Sequence, residues 1–281
     1  MKLKSRKLKS MKLKSMKLIP SLFTIAIGLC ASAAQAHDVW ITSSSSVLSA
    51  PQFVTFDAAA SSVPFIIDHR PLVIDALTIS APDGSKVLPV NIMKGELRTV
   101  FDVKFEQTGT YRLELLRSGF RANWKDAENK PKRFMGNADA LTKEVPADAK
   151  DLKVTESISR MENFVTVGKP STLKTTGNGL ELVAATHPND LVAGEPVELT
   201  FLVDGKPTEG VEVEIIRNQS RYRNKLDEKK YKTDKDGKVK VTLQEAGLYW
   251  LDADFTDKNV SNKISKERGL AYVLTLEVLP Q

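Results

Sequence analysis

Three histidines are the residues of this chain best suited to hold a transition metal: His37, His69 and His187. His37 has the strongest chemistry because of what precedes it. Ala34 and Ala36 form an A-x-A cleavage site at the end of an apolar run. Cleavage after Ala36 gives a mature chain whose first residue carries both a free α-amine and an imidazole. That amine has a pKa of about 8, below a lysine's, so it yields its proton to a metal readily. The amine nitrogen and Nδ1 then close a chelate ring on one ion, favouring Cu(II), Ni(II) or Co(II) over hard cations. One residue supplies two ligands, so a further side chain must complete the site. His69, in Ile67-Asp68-His69-Arg70, follows an apolar strand end, with Asp68 as an alternative ligand or as a carboxylate that orients the ring. His187, in Ala185-Thr186-His187-Pro188, stands at a strand-to-turn corner. If either reaches His37, the result is a histidine brace. Asp38 is expected to support a ligand or start a strand, and Trp40 to enter the core. The plainer alternative is that the peptidase simply needs some residue after its site, and that a histidine before a proline bonds its own turn.

The element that delivers His37 is a leader, residues 1–36. It carries eight Lys or Arg and no acid before an apolar run from Leu18 to Ala31, as a Sec-type signal peptide does. A repeated Met-Lys-Leu-Lys-Ser unit leaves Met1, Met11 or Met16 as the start. Cys30, the single cysteine, follows Leu29 where a lipoprotein signal wants a small residue, so lipidation is not expected. Removing the eight leader cations from 41 Lys and Arg leaves 33 against 35 acids, a net charge of −2. The apparent basicity is therefore a property of the leader, and no nucleic-acid partner is expected. The mature part has neither disulfides nor thiolate metal sites. No later stretch reaches the roughly 18–20 apolar residues of a membrane span. A periplasmic location is expected, with no transmembrane segment after cleavage.

The mature chain reads as strands throughout. Short runs rich in Val, Ile, Thr, Phe and Tyr recur between Gly, Pro, Asp and Ser clusters. Pro82-Asp83-Gly84, Asp204-Gly205 and Asp236-Gly237 are hairpin signals. Residues 120–160 break the rhythm and read as a long loop insertion with at most a short helix. Gly168–Gly179 is polar and rich in Gly, Ser, Thr and Pro, as a linker is. The expectation is all-β: two tandem β-sandwich domains, residues 37–170 and 179–281, the second immunoglobulin-like or transthyretin-like.

No enzyme signature is present: no Gly-x-Ser-x-Gly, no H-E-x-x-H, no P-loop and no mature cysteine nucleophile. Asp234-Lys235-Asp236-Gly237 lacks the further acids of a calcium loop and reads as a turn. Asn218-Gln219-Ser220 is a formal glycosylation sequon, expected bare. The basic cluster from Arg217 to Lys230 is interrupted by acids and asparagine and reads as a solvated loop or edge.

The opening His37-Asp38-Val39-Trp40-Ile41 resembles the mature start of exported bacterial proteins of the DUF4198 family. The resemblance continues through Gly179-Leu180-Glu181-Leu182-Val183, Gly194-Glu195-Pro196-Val197, Val203-Asp204-Gly205-Lys206-Pro207 and Ala246-Gly247-Leu248-Tyr249-Trp250. It implies an exported protein of the kind labelled as a periplasmic component of cobalt or nickel uptake, with a membrane uptake system as partner, and supplies no catalytic residues. The resulting expectation is a non-enzymatic exported protein that binds Ni, Co or Cu through His37. Two alternatives stand beside it: a histidine-brace copper oxidase acting on polysaccharide, and an adhesion or scaffold module without metal.

Overall fold

The computed structural model describes residues 38–281; the leader, Cys30, the cleavage junction and His37 lie outside the described residues. The first strands are β1 (Asp38–Ser43), β2 (Val47–Leu48), β3 (Gln52–Ser61), β4 (Arg70–Pro71), β5 (Leu77–Ser80) and β6 (Lys86–Val87). Next come β7 (Val90–Lys94), β8 (Thr99–Phe105), β9 (Gly109–Lys125), β10 (Pro131–Gly136), helix α1 (Ala138–Glu144) and β11 (Lys150–Val167). β12 (Leu180–Ala184), β13 (Pro196–Val203), β14 (Lys206–Pro207), β15 (Glu212–Arg217) and β16 (Lys229–Lys232) follow. β17 (Lys238–Thr242), β18 (Gly247–Asp257) and β19 (Glu267–Val278) complete the series. The fold is all-β, as expected.

Period-two burial makes these segments strands. In β8, Phe101, Val103 and Phe105 are buried while Asp102 and Lys104 face outward. In β13, Val197, Leu199, Phe201 and Val203 alternate in the same way. The hairpin signals are turns. Asp204 and Gly205 both have positive φ, 49° and 78°, as a two-residue type I′ connection requires. Gly237 has φ 71°, and a Cβ there would lie 2.7 Å from the Thr208 amide nitrogen, so no other residue fits.

Three sheets are formed. β1-β3-β8-β7, with β4 on β3, make a five-stranded sheet; β12-β13-β14, with β17 on β13, make a four-stranded one. Between them runs a ten-stranded sheet ordered β16-β15-β18-β19-β11-β9-β5-β6, with β10 on β9 and β2 on β11. Each small sheet covers one face of the large one. Tyr111, Leu113 and Leu115 of β9, Met161 and Val165 of β11, and Trp250 of β18 pack with Phe56, Phe101 and Phe105 of the five-stranded sheet. The alternate residues, Phe164 of β11, Leu251 of β18 and Tyr272 and Leu274 of β19, pack with Leu199 and Phe201 of the four-stranded sheet. The Phe56 and Phe101 rings stack at 5.1 Å, and Phe105 meets Tyr111 edge-on at 4.6 Å.

The two halves of the chain thus contribute to one sheet, joined where β11 pairs in parallel with β19, in addition to the polar stretch at 168–179. The expected loop at 120–160 is regular structure: the end of β9, all of β10, the start of β11, and α1 as the one short helix. Its mixed composition has a physical cause. Here β9 and β11 run past both small sheets, and only one face is covered, by Leu141 and Val145 against Ala122, Val154 and the partly buried Trp124. Asn137 caps α1, its Oδ1 accepting from the Ala140 amide at 2.9 Å.

Candidate functional site

Beyond the rim of the five-stranded sheet, one face of the ten-stranded sheet is left uncovered, and strand parity says which side chains it carries. Leu115 faces the first core, so Arg117 and Arg121 continue on that side of β9; Met161 does, so Ser159 and Ser157 follow on β11. By the same rule Val273 brings Ala271 and Gly269 of β19, Trp250 brings Asp252 and Asp254 of β18, and Ile216 brings Glu214 and Glu212 of β15. On this face small residues of β11 and β19 separate the arginines of β9 from the acids of β15 and β18. A pocket beside the acids is lined by Glu212, Glu214, Lys230, Lys232, Asp252 and Asp254.

The acids of this face are like charges in register. Glu214 stands opposite Asp252, and Glu212 opposite Asp254, an arrangement that destabilises an isolated sheet. Lys230 and Lys232 of β16 reach Glu214 at 3.8 Å and Glu212 at 3.6 Å. Among the described residues no cation stands within 4 Å of Asp252 or Asp254. Burial, and then the Asp254 carboxyl beside it, push Asp252 well above the usual carboxylate range. Asp254 is raised by burial, with Arg121 pulling the other way. Glu214 is raised by burial, opposed by Lys230. Asp38, at the start of β1, joins the cluster and is pushed up to about 6 by burial and then by Glu214. On β9 Arg117 donates through Nη2 to the Val73 carbonyl at 2.5 Å. Burial and then Arg70 lower its pKa.

Asp38 pairs with Ser61 on one side of β3, and Arg70 pairs with Ala60 on the other. Asp38 and His69 therefore flank the same end of β3, their backbones about 10 Å apart by strand spacing. Asp68 is committed to that end as well. Its carboxylate accepts from the Ser62 amide at 3.0 Å and from the Ser62 hydroxyl, which lowers its pKa. Trp40 is core, its Nε1 donating to Ser61 Oγ at 2.8 Å.

His187 is elsewhere. Its Nδ1 accepts from the Asn189 amide at 3.1 Å, and its Nε2 lies 3.1 Å from Thr110 Oγ1. Thr110 is on the opposite face of the sheet, and about 23 Å along β9 from Arg117. His187 is thus a corner residue bonding its own turn, its pKa lowered by burial. The structure does not bring it to Asp38. Among the described residues no three His, Cys, Asp or Glu side chains are placed to hold a metal by themselves. Sequence reasoning missed Glu214, Asp252, Asp254, Arg117 and Arg121, because their register across β15, β18 and β9 is what joins them.

The opposite face of the same sheet holds a second charged group, most of it buried. Arg160 is buried, ion-paired to Glu114, and donates to Thr176 Oγ1 at 2.9 Å and the Asn178 carbonyl at 2.8 Å. Arg112 pairs with Glu162 through Nε at 2.6 Å, and Glu162 also accepts from Tyr272 at 2.7 Å. Glu181 takes the Thr176 and Gly177 amides, each at 2.7 Å. A cavity of about 260 Å³ lies beside them, lined also by His187 and Phe164. Its buried acids are already bonded, so the cluster fastens the four-stranded sheet to the ten-stranded one.

Comparison with known proteins adds a family and little else. Structural likenesses include the D0-D1 domain of intimin, 13% identical with TM-score 0.22, covering 85% of this chain and 99% of that one. The Escherichia coli adhesin FdeC is 14% identical with TM-score 0.22, covering 86% of this chain and 66% of that one. A two-domain fibronectin type III segment of chicken tenascin is 12% identical with TM-score 0.21, covering 85% and 98%. At such TM-scores these likenesses carry no argument about function. No curated protein matches the chain. The family model of the domain of unknown function DUF4198 matches residues 34–257, most of the chain. The chain therefore belongs to the DUF4198 family.

Proposed function

We propose that this is an exported, non-enzymatic protein that binds a divalent transition metal through the α-amine and imidazole of a mature N-terminal His37, and delivers it to a membrane uptake system. The observation that supports this reading is the setting of Asp38. Any chain beginning at His37 presents its amine one peptide unit from a residue that lies against Glu214 and Asp252 and shares an end of β3 with His69. Two nitrogen donors next to carboxylates and a second imidazole suit Ni(II), Co(II) or Cu(II) better than calcium or magnesium. Export is part of the same proposal: the leader has the signal pattern, and no described helix is long and apolar enough to cross a membrane.

The test is mass spectrometry of the isolated protein's N-terminus, followed by Ni(II), Co(II) and Cu(II) titration of that form and of a form extended by one residue. A chelate that uses the amine loses affinity on extension. Binding that ignores the extension overturns the proposal.

A further inference from the structure

The charged cluster between the ten-stranded and four-stranded sheets is bonded throughout, but its charges do not balance. Glu114 of β9 and Glu162 of β11 are direct cross-strand partners, acid against acid. Glu162 Oε1 accepts from Arg112, whose Nη2 also lies 3.7 Å from Glu114 Oε1 and 3.9 Å from Glu181 Oε1. Arg160 pairs with Glu114 and stands 3.9 Å from both Glu162 and Glu181. Two guanidiniums thus face three converging carboxylates, one negative charge in excess. Among the described residues no third cation comes within 4 Å of these acids. Glu162 and Glu181 are only 3% and 2% exposed, so water screens the excess poorly.

The cavity of about 260 Å³ lies against these two acids. A carboxylate offers about four acceptor sites. Glu162 uses three of them, two for Arg112 and one for Tyr272; Glu181 uses three, two for Thr176 and one for Gly177. Each therefore has room for one more donor. The rest of the lining is largely apolar, including Phe164, Leu173, Leu182 and Ala184. Lys174 also lines the cavity, but its carbonyl takes Arg112 Nη1 at 2.9 Å and its ammonium pairs with none of the three acids. Residues 172–175 belong to no helix or strand, and Thr172, Lys174 and Thr175 are exposed, so a ligand can reach the cavity past them.

We propose that this cavity binds a small organic amine as its ammonium ion, the charge against Glu162 and Glu181 and the apolar body against Phe164, Leu173 and Leu182. An anion meets the wrong sign, and a bare cation leaves the apolar lining uncovered. An apolar cavity of about 150 Å³ takes benzene, so this one has room for a ring or branched chain with a short aminoalkyl tail. The inference goes beyond the metal reading and uses neither His37 nor His69.

The experiment is calorimetry on the purified chain in EDTA with phenethylamine and isopentylamine as probes. Beside them stand 2-phenylethanol and 3-phenylpropanoate, which keep the aromatic body and make the head neutral or anionic. Phenethylamine or isopentylamine is expected to bind. The alcohol should bind about tenfold or more weaker than phenethylamine, as the loss of a charged hydrogen bond implies, and the acid not at all. Glu162→Gln keeps an oxygen for Arg112 and a polar partner for the Tyr272 hydroxyl while removing the excess charge. It should weaken amine binding about tenfold and leave 2-phenylethanol unchanged. Ala184→Leu fills the cavity, leaves every charge in place and should abolish binding. The analogue series needs only the unaltered chain, so it decides the matter even where a variant does not fold. No binding of either amine, equal binding of phenethylamine and its alcohol, or amine binding indifferent to these substitutions overturns the proposal. Because EDTA removes metal ions, the outcome is independent of the titration that tests His37.

Discussion

The two faces of the ten-stranded sheet treat charge in opposite ways. On the face toward the four-stranded sheet, Arg112, Arg160, Glu114, Glu162 and Glu181 are buried or nearly so and interlocked, each carboxylate meeting a guanidinium, a hydroxyl or a backbone amide. On the other face, beyond the rim of the five-stranded sheet, acids stand opposite acids and arginine beside arginine. Desolvated charge is paired on the first face; on the second, burial and a neighbouring acid raise the Asp252 pKa instead. The first arrangement ties two sheets together, and the second leaves like charges side by side.

Removing one partner from the buried cluster should have the largest effect. Arg160→Met removes a buried guanidinium from Glu114, Thr176 and Asn178, leaving half-buried Glu114 only Arg112 at 3.7 Å, and is expected to cost about 3–5 kcal/mol in urea unfolding, whereas Arg121→Gln on the open face should stay within about 0.5 kcal/mol. Equal effects would erase the distinction between the faces. Asn189→Ala comes next. It strips the carbonyls of Ser46 and Phe164 of a buried donor, bonded at 3.1 and 3.0 Å, and should cost about 1–3 kcal/mol by the same measurement.

The histidines divide the same way. His69→Ala should weaken Ni(II) binding about tenfold, as the loss of one ligand would. His187→Ala should leave it unchanged, and a reversed pattern in the titration would move the metal to the other face. A small effect belongs to Asp252→Asn, expected to stabilise the protein by about 0.2–1 kcal/mol at neutral pH by removing a buried acid that faces other acids. Its pH dependence has a definite sign. The Asp252 pKa is raised in the folded protein, so ionisation penalises the fold at neutral pH. As pH falls through that raised value the folded form takes up its proton first, and the penalty disappears before the ordinary aspartate range, near 3.9, is passed. The advantage of Asp252→Asn should therefore shrink as unfolding is measured at lower pH.

Much of the fold was legible in the sequence because it is local. Asp204-Gly205 and Asp236-Gly237 are turns, and Tyr111, after Gly109-Thr110, fixes its corner by accepting the Glu106 and Gln107 amides at 3.0 and 2.6 Å. Residues 120–160 were not legible. Strands half-covered by one short helix alternate Phe120, Ala122 and Trp124 with solvent-facing Arg121 and Asn123, and that pattern imitates an irregular loop. The site divides along the same line. His69 and Asp38 could be named from residue type and position near the leader. Asp252, Glu214 and Arg117 could not, since nothing in a run of residues says which strand will lie beside it.

The parallel pairing of β11 with β19 also has a consequence in time. Thr155 bonds Glu267 across 112 residues of sequence, and antiparallel β9 completes only the other edge of β11. As the chain is made from its N-terminus, β11 must wait through the whole four-stranded sheet with one row of amides and carbonyls exposed. Such high contact order makes folding slow and the waiting edge a template for misassociation. Neither half of this molecule can close early, and its most vulnerable moment is the interval before Glu267 arrives.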